Sequence, residues 1–284
     1  LAPVAANAFA SLAKIAPGRI IFGVGTGFTA RNTMGLGPMK LGALREYVEV
    51  VRDMLRGKTP SCTLDGKPRK VRFLNPELDL VNLEDPVPIH FSAFAPKARA
   101  MTAELGDGWM TFMSRPEGAL RELGEVREAC RAVGRDPKTM YTTVFTLGCV
   151  LAPGEAADGE RAMAQAGPLV SVLFHGLIEE SIAEILPPEL KDAVAEFRAQ
   201  AATYEPKDAP YLQLHRGHLS YVRPEERRFV TKERIRGFTL TGTADEIVER
   251  LRPVRDGGFD QLTIQLVPGQ ESAIEDWARV FEKL

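Results

Sequence analysis

Three glycines, Gly23, Gly25 and Gly27, alternate with Val24 and Thr26 at the end of a strand-like run over residues 19–24. Glycine at such a place lets backbone approach a flat or phosphorylated ligand without an intervening Cβ. The run differs from the dinucleotide fingerprint, which needs G-x-G-x-x-G opening directly into a helix and an acidic residue closing the next strand. Here the next residue is Phe28, and a helix start is signalled only near Pro38. A glycine-rich turn with packing value alone stays open as the plainer reading. A second stretch, His90-Phe91-Ser92-Ala93-Phe94-Ala95-Pro96-Lys97, runs from a strand into a helix opening. Small residues followed by proline at the first helical position leave free backbone N–H groups suited to phosphate or carboxylate, and Lys97 adds a positive charge.

Other polar groups are less telling. Gly106-Asp107-Gly108-Trp109 reads as a helix stop, a turn and an aromatic strand residue, with Trp109 fitting a core position. His215 and His218 flank Arg216-Gly217, but no third ligand cluster and no His-x-x-x-His face accompanies them, so no metal site is expected. No serine nucleophile elbow and no carboxylate pair stands out. The charged run over residues 223–236 reads as a solvated helical face.

The elements that must position these residues alternate between strand and helix, as βα units of a parallel sheet do. An Ala-rich helix over residues 3–16 precedes the strand at 19–24. Pro38 opens a helix in which Leu41, Leu44, Val48, Val51 and Leu55 recur at helical spacing, closed by Gly57. Asp65-Gly66 marks a hairpin within an excursion over residues 58–86. Strands follow at 88–93, 109–113, 141–151 and 260–267, with helices at 96–105, 117–133 and 271–281. Residues 152–236 read as several helices broken at Pro187-Pro188 and over 206–210, and Thr243 with Glu246 forms a capping box. Five strands of this kind fit either an open doubly wound sheet or part of an eight-stranded barrel, and periodicity does not choose.

Composition narrows the classes. With 284 residues, 44% hydrophobic and 26% charged, the chain can bury a large core. A net charge of −2 without a basic stripe gives nucleic acid no electrostatic footing. The longest apolar stretch, residues 141–152, carries Thr142, Thr143, Thr146 and Gly148 and falls short of the roughly 20 residues a bilayer span needs. The start, residues 1–18, lacks the basic opening of a signal peptide. Cys62, Cys130 and Cys149 are odd in number and scattered, which fits reduced thiols in a cytoplasm.

Taken in order, these stretches resemble a known family. Pro17-Gly18-Arg19-Ile20-Ile21-Phe22-Gly23-Val24-Gly25-Thr26-Gly27 resembles the fourth-strand signature of the luciferase-like flavin and deazaflavin oxidoreductases. Gly35-Leu36-Gly37-Pro38-Met39-Lys40-Leu41 with Leu44-Arg45-Glu46-Tyr47-Val48 is similar to the helix that follows it, nearest the methylenetetrahydromethanopterin reductase-like branch. Pro88-Ile89, residues 93–98 and Gly106-Asp107-Gly108-Trp109 resemble the fifth and sixth strands. Thr241-Gly242-Thr243-Ala244-Asp245-Glu246 with Gly258-Phe259-Asp260 resembles the approach to the eighth.

The resemblance implies an α/β fold, a (β/α)₈ TIM-type barrel whose strands four to eight lie in a single domain over residues 1–284. It also implies that about three βα units, on the order of 90 residues, precede Leu1, and that residues 152–236 form a helical insertion between strands seven and eight, acting as a lid. Gly23, Gly25, Thr26 and Gly27 are then expected near the ring of the cofactor, and Ser92, Ala93, Phe94, Ala95, Pro96 and Lys97 at its ribityl phosphate arm. Trp109 and Thr111 are expected on the same cofactor side. Phe28, His215 and His218 are expected on the substrate side, with Tyr211 and Tyr221 as apolar walls. Sugar-phosphate dehydrogenases of the family carry an acid where this chain has Phe28, which argues against their proton-donor chemistry here. No catalytic residue is assigned, because the family takes ring contacts from the earlier units.

The implied activity is hydride transfer from a deazaflavin coenzyme (factor 420) to a small organic substrate in a cytoplasmic homo-oligomer. One alternative is an FMN-dependent monooxygenase that uses reduced flavin and oxygen, with a separate flavin reductase as partner. Another is a flavin- or ligand-binding protein without turnover. In each case the ring carries the redox chemistry, and the protein supplies orientation and a dry pocket.

Overall fold

The computed structural model describes residues 1–179 and 188–284; Pro187, expected to break a helix, lies outside the described residues. Among the described residues, no helix is long and apolar enough to cross a membrane. The chain forms two compact units. The first comprises Leu1–Arg31, Gly37–Met110 and Glu125–Thr142, and the second Asn32–Leu36, Thr111–Gly124 and Thr143–Leu284.

In the first unit, helix α1 (Ala2–Ile15) presents a stripe of small buried residues, Ala2, Ala6, Ala10 and Ala13, at helical spacing. Methyl-sized side chains let α1 lie close against another helix, and it packs on α3 (Leu41–Leu55). In α3, Leu44, Val48, Val51 and Leu55 are buried as their spacing predicts, joined by Val50 and Met54. The helix starts at Leu41 rather than Pro38, with Lys40 at its N-cap. Strand β1 (Phe22–Gly25) precedes a short helix α2 (Phe28–Asn32) that periodicity does not predict, since five residues give no repeat to read. The excursion contains the hairpin β2 (Ser61–Leu64) and β3 (Lys67–Lys70), paired antiparallel across Asp65 and Gly66. Both turn residues have positive φ, 50° and 71°, the pattern of a type I′ turn.

Strand β4 (Ile89–Ser92) pairs in parallel with β1, and β5 (Gly108–Phe112) pairs in parallel with β4. Helix α4 (Pro96–Leu105) runs between them with the predicted bounds. After α5 (Pro116–Ala132) comes β6 (Tyr141–Thr146), and the five-stranded sheet has the order β1-β4-β5-β6-β9, with β9 (Gln261–Ile264) parallel to β6.

The long strand expected over residues 141–151 is broken. β6 stops at Thr146, and β7 (Val150–Leu151) forms a separate parallel pair with β8 (Gly242–Thr243). Gly148 lies at the break. A Cβ built there would stand 2.1 Å from the backbone carbonyl oxygen of Leu240, while the Leu240 N–H donates to the Leu147 carbonyl at 2.9 Å. The two backbones approach too closely for any side chain, so the apolar run of the sequence is split by packing that its pattern does not show.

The second unit carries most of the helices: α6 (Glu160–Gln165), α7 (Gly167–Glu179), α8 (Pro188–Ala201), α9 (Tyr211–Leu214), α10 (Lys232–Phe238), α11 (Ala244–Asp256) and α12 (Ala273–Lys283). The predicted capping box of α11 is present, with Thr243 Oγ1 accepting from the Glu246 N–H and Glu246 accepting from the Thr243 N–H. Phe174, Phe197 and Phe229 pack with centroids 5.1–5.4 Å apart at the centre of an apolar cluster formed by α7, α8 and a 3₁₀ turn over Pro224–Phe229. Most charges of the run at 223–236 lie on the solvated face expected, but Arg223 and Glu226 do not: they are 3% and 1% exposed. Each is paired inside the unit, which is what allows charges to be buried there.

Gly148→Ala should force the Leu240 backbone to move and destabilise the fold by about 3 kcal/mol, the upper part of the range for overpacking. Urea denaturation followed by circular dichroism measures it, and a loss of a few tenths of a kcal/mol would refute the close approach.

Candidate functional site

The register of β1 on β4 decides which predicted residues meet. Gly23 lies opposite His90, Val24 opposite Phe91 and Gly25 opposite Ser92. On β5, Trp109 lies opposite Phe91 and Met110 opposite Ser92. Partners in a parallel pair share a sheet face, and faces alternate along a strand. Phe91 and Trp109, both fully buried, mark one face, and buried Ala93 and Thr111 belong to it by parity. Gly25, Ser92 and Met110 mark the other face and are partly accessible. Gly23, Gly25 and Ser92 therefore share the accessible face, whereas Ala93, Trp109 and Thr111 point their side chains away from it. The Thr111 hydroxyl donates to Glu122 at 2.6 Å. Strand alternation is the signal that picks out Met110, which motif reading passes over.

The ends of β1 and β4 turn outward side by side. A Cβ at Gly25 would lie 3.2 Å from the Ser92 carbonyl oxygen, so a larger residue would press on the neighbouring strand. Gly27 has a φ of +73°, a left-handed conformation that favours glycine. Its carbonyl accepts from the Arg31 N–H at 2.7 Å, which starts α2. The Met39 N–H donates to the Thr26 carbonyl at 2.8 Å, and Arg31 Nε donates to the Gly37 carbonyl at 2.6 Å. These bonds hold the glycine turn. Phe28, the first residue of α2, is partly exposed.

The matching turn after β4 is held from inside. Trp109 Nε1 donates to the Ala93 carbonyl at 2.9 Å, and the buried Arg99 guanidinium donates to the Phe94 carbonyl and to Glu125. Phe94, Ala95, Pro96 and Lys97 are exposed, and no side chain caps α4. The uncapped start of a helix beside Lys97 is electropositive and offers amide donors to an anion.

His215 and His218 lie in the second unit, and the structure adds a third histidine. His175 on α7 brings its ring centroid to 5.9 Å from His215 and 6.3 Å from His218, and the last two are 5.7 Å apart. The sequence shows no third group beside the pair, but the fold supplies a histidine: His175 is 40 positions away, within a largely apolar helix, and no local spacing reveals it. His175 Nε2 bonds Glu226 Oε1 at 2.7 Å, and His215 Nε2 bonds Glu179 Oε1 at 2.8 Å. Arg223 also donates to Glu226, and Asn32 Nδ2 donates to Glu179 Oε2 at 2.7 Å. Burial alone would raise both carboxyls, but the bonds from His175 and Arg223 hold Glu226 below its ordinary range, and those from His215 and Asn32 do the same for Glu179. Burial, with the neighbouring histidines, pushes His218 down to about 4. Tyr211 lies against Gly35, where a Cβ would meet its ring at 2.6 Å, and Tyr221 is largely exposed.

An accessible edge of glycine and small residues thus lies at the C-terminal ends of parallel strands of an α/β protein, beside an uncapped helix start. The chain belongs to the family of luciferase-like monooxygenases, which matches residues 3–261. It is 23% identical over 278 residues to a 5,10-methylenetetrahydromethanopterin reductase of Methanolobus tindarius, covering 96% of this chain and 76% of that protein. A coenzyme F420 dependent tetrahydromethanopterin reductase from Methanopyrus kandleri has a similar structure, with a TM-score of 0.62 at 19% identity, covering 96% of this chain and 76% of that one. So does the FMN complex of the oxygenating constituent of 3,6-diketocamphane monooxygenase from Pseudomonas putida, at 0.57 and 13%, covering 99% and 73%. Its relatives and structural neighbours include F420-dependent dehydrogenases and monooxygenases.

A pH effect follows from His218. Its folded pKa of about 4 lies below the unfolded value near 6.5. Between those limits the unfolded chain binds a proton that the folded chain does not, so stability falls as pH drops from about 6.5 toward 4. In chelator-treated protein, urea midpoints over that window should fall with pH for the wild type and flatten for His218→Gln. Equal slopes would show that His218 titrates normally.

Proposed function

We propose that the protein is an oxidoreductase that transfers hydride between a deazaflavin coenzyme and a small organic substrate. Its coenzyme site is the paired ends of β1 and β4. The observation that carries this reading is the pairing of Gly25 with Ser92, which sets the glycine turn beside the uncapped start of α4. The residues fit such a group: a side chain at Gly25 would close on the Ser92 backbone, and the turn at 93–97 presents amides and Lys97. The nearness of methylenetetrahydromethanopterin reductases in sequence and fold supports the deazaflavin, and we read the strands as the fourth to eighth of the family's barrel, with residues 152–236 inserted between the last two.

The chain's own residues act by binding and orienting. Gly25 and Gly27 admit a planar ring against backbone, Ser92 offers a hydroxyl beside it, and Phe28 gives an apolar wall on the substrate side. The backbone N–H groups of Ala95 and Lys97, with the Lys97 ammonium, take the phosphate arm, while Trp109 and Arg99 fix the carbonyls behind them. Ala93, Trp109 and Thr111 serve as this second layer rather than through side-chain contact. When bound, the deazaflavin supplies obligate hydride chemistry. Reduced FMN with oxygen is the competing reading, supported by the likeness to an FMN monooxygenase.

Two titrations by fluorescence quenching test the proposal. The deazaflavin coenzyme should bind more tightly than FMN, and turnover should proceed under argon; turnover that requires oxygen and FMN would select the monooxygenase, and binding without either turnover a non-catalytic carrier. Lys97→Ala should weaken binding of phosphorylated ligand about tenfold, the loss of one charge-assisted contact of about 1.4 kcal/mol. Riboflavin, which lacks the phosphate, should bind the variant unchanged. Equal weakening for riboflavin would remove the phosphate from α4.

A further inference from the structure

We propose that His175, His215 and His218 form a binding site for a zinc-class divalent metal ion, with one ring nitrogen from each as ligand and a fourth position open to water. The three lie within the second unit, and one ligand nitrogen from each stands within 4.8 Å of the other two. The bonding of the His175 and His215 rings identifies their ligand nitrogens as Nδ1. Glu226 and Glu179 accept at Nε2 of His175 and His215, and both carboxylates are held ionised by further donors, Arg223 and Asn32. In the neutral ring Nε2 then carries the proton, and Nδ1 keeps a lone pair for a metal ion. The Nδ1 atoms of all three histidines are buried without a hydrogen-bond partner.

Three buried ring nitrogens without a hydrogen-bond partner are costly, about 1–3 kcal/mol each. A cation satisfies all three at once. Imidazole suits zinc and its neighbours, and a carboxylate on the far nitrogen of a ligating histidine is the usual outer partner, fixing tautomer and ring orientation. Here two of the three rings have that partner. Coordination at about 2.0–2.1 Å brings tetrahedral ligands to about 3.3 Å from one another, so the rings close inward by roughly an ångström through their torsions. His175 lies on α7, His215 at the end of α9 and His218 in the turn after it, so the ion ties these segments together.

The site is tested with the full chain, freed of metal by chelator and dialysis and titrated with Co²⁺. One Co²⁺ per chain should bind, with visible absorption of a low-coordinate ion, without thiolate charge transfer, and displaced by Zn²⁺. Bound Zn²⁺ should raise the melting temperature. His218→Ala removes a ring without a carboxylate partner and should weaken Co²⁺ binding about 100-fold with far-ultraviolet circular dichroism unchanged. Glu179→Gln keeps all three ligands and should weaken it about 10–100-fold, the usual effect of losing an outer partner. Failure of the wild type to bind Co²⁺, thiolate absorption from a cysteine, or a His218→Ala variant that binds like wild type would overturn the proposal. The wild-type titration decides the matter even where a variant misfolds, and none of these readouts depends on the coenzyme.

Discussion

The register of two short parallel strands is the constraint on which the coenzyme reading depends. Pairing from Phe22 with Ile89 to Gly25 with Ser92 sets both strands to end level, so that the glycine turn and the start of α4 emerge together. A slip of one residue would exchange the faces: Ser92 would turn inward and fully buried Phe91 would turn to solvent. Burying a phenylalanine contributes about 1.5–3 kcal/mol, and Phe91 and Trp109 side by side oppose such a slip strongly. The large aromatic face thus fixes the register, and the register sets Gly25 beside Ser92 on the opposite face. The same core clamps the backbone at the site, since Trp109 holds the Ala93 carbonyl and Arg99 the Phe94 carbonyl.

The second unit follows a different logic. Its centre is apolar, built on Phe174, Phe197 and Phe229, yet Arg223, Glu226 and His175 are buried at its border. Such polar groups are tolerable only when bonded, and each is: Glu226 accepts from Arg223 and bonds His175, and Arg223 also donates to the Tyr204 hydroxyl at 2.9 Å and to the Gln213 carbonyl at 2.7 Å. Removing one member leaves the others charged and unmatched, which costs more than the pair contributes.

How much was legible in the sequence depended on how local the physics was. The hairpin at Asp65-Gly66, the capping box of Thr243 with Glu246 and the proline start of α4 were readable because a few consecutive residues determine them. The ordered set of motifs also led to the family, which the comparison with residues 3–261 bears out. The break at Gly148 was hidden because its cause, the Leu240 backbone, lies 92 positions away. Arg223 and Glu226 looked like surface because charge alone does not report a buried partner. Trp109 and Thr111 adjoin a motif in sequence, whereas strand parity turns their side chains to the face away from Ser92. His175 was unreadable as a ligand, since only folding brings α7 to the 215–218 turn.

The central claim is that coenzyme binds at the paired ends of β1 and β4. Amide hydrogen exchange, with and without saturating deazaflavin coenzyme, reads it directly. The account predicts slowed exchange in two separated peptides, around residues 24–28 and 93–99, with little change on β2 and β3. Slowed exchange confined to other segments, or none in either peptide despite bound coenzyme, would contradict it.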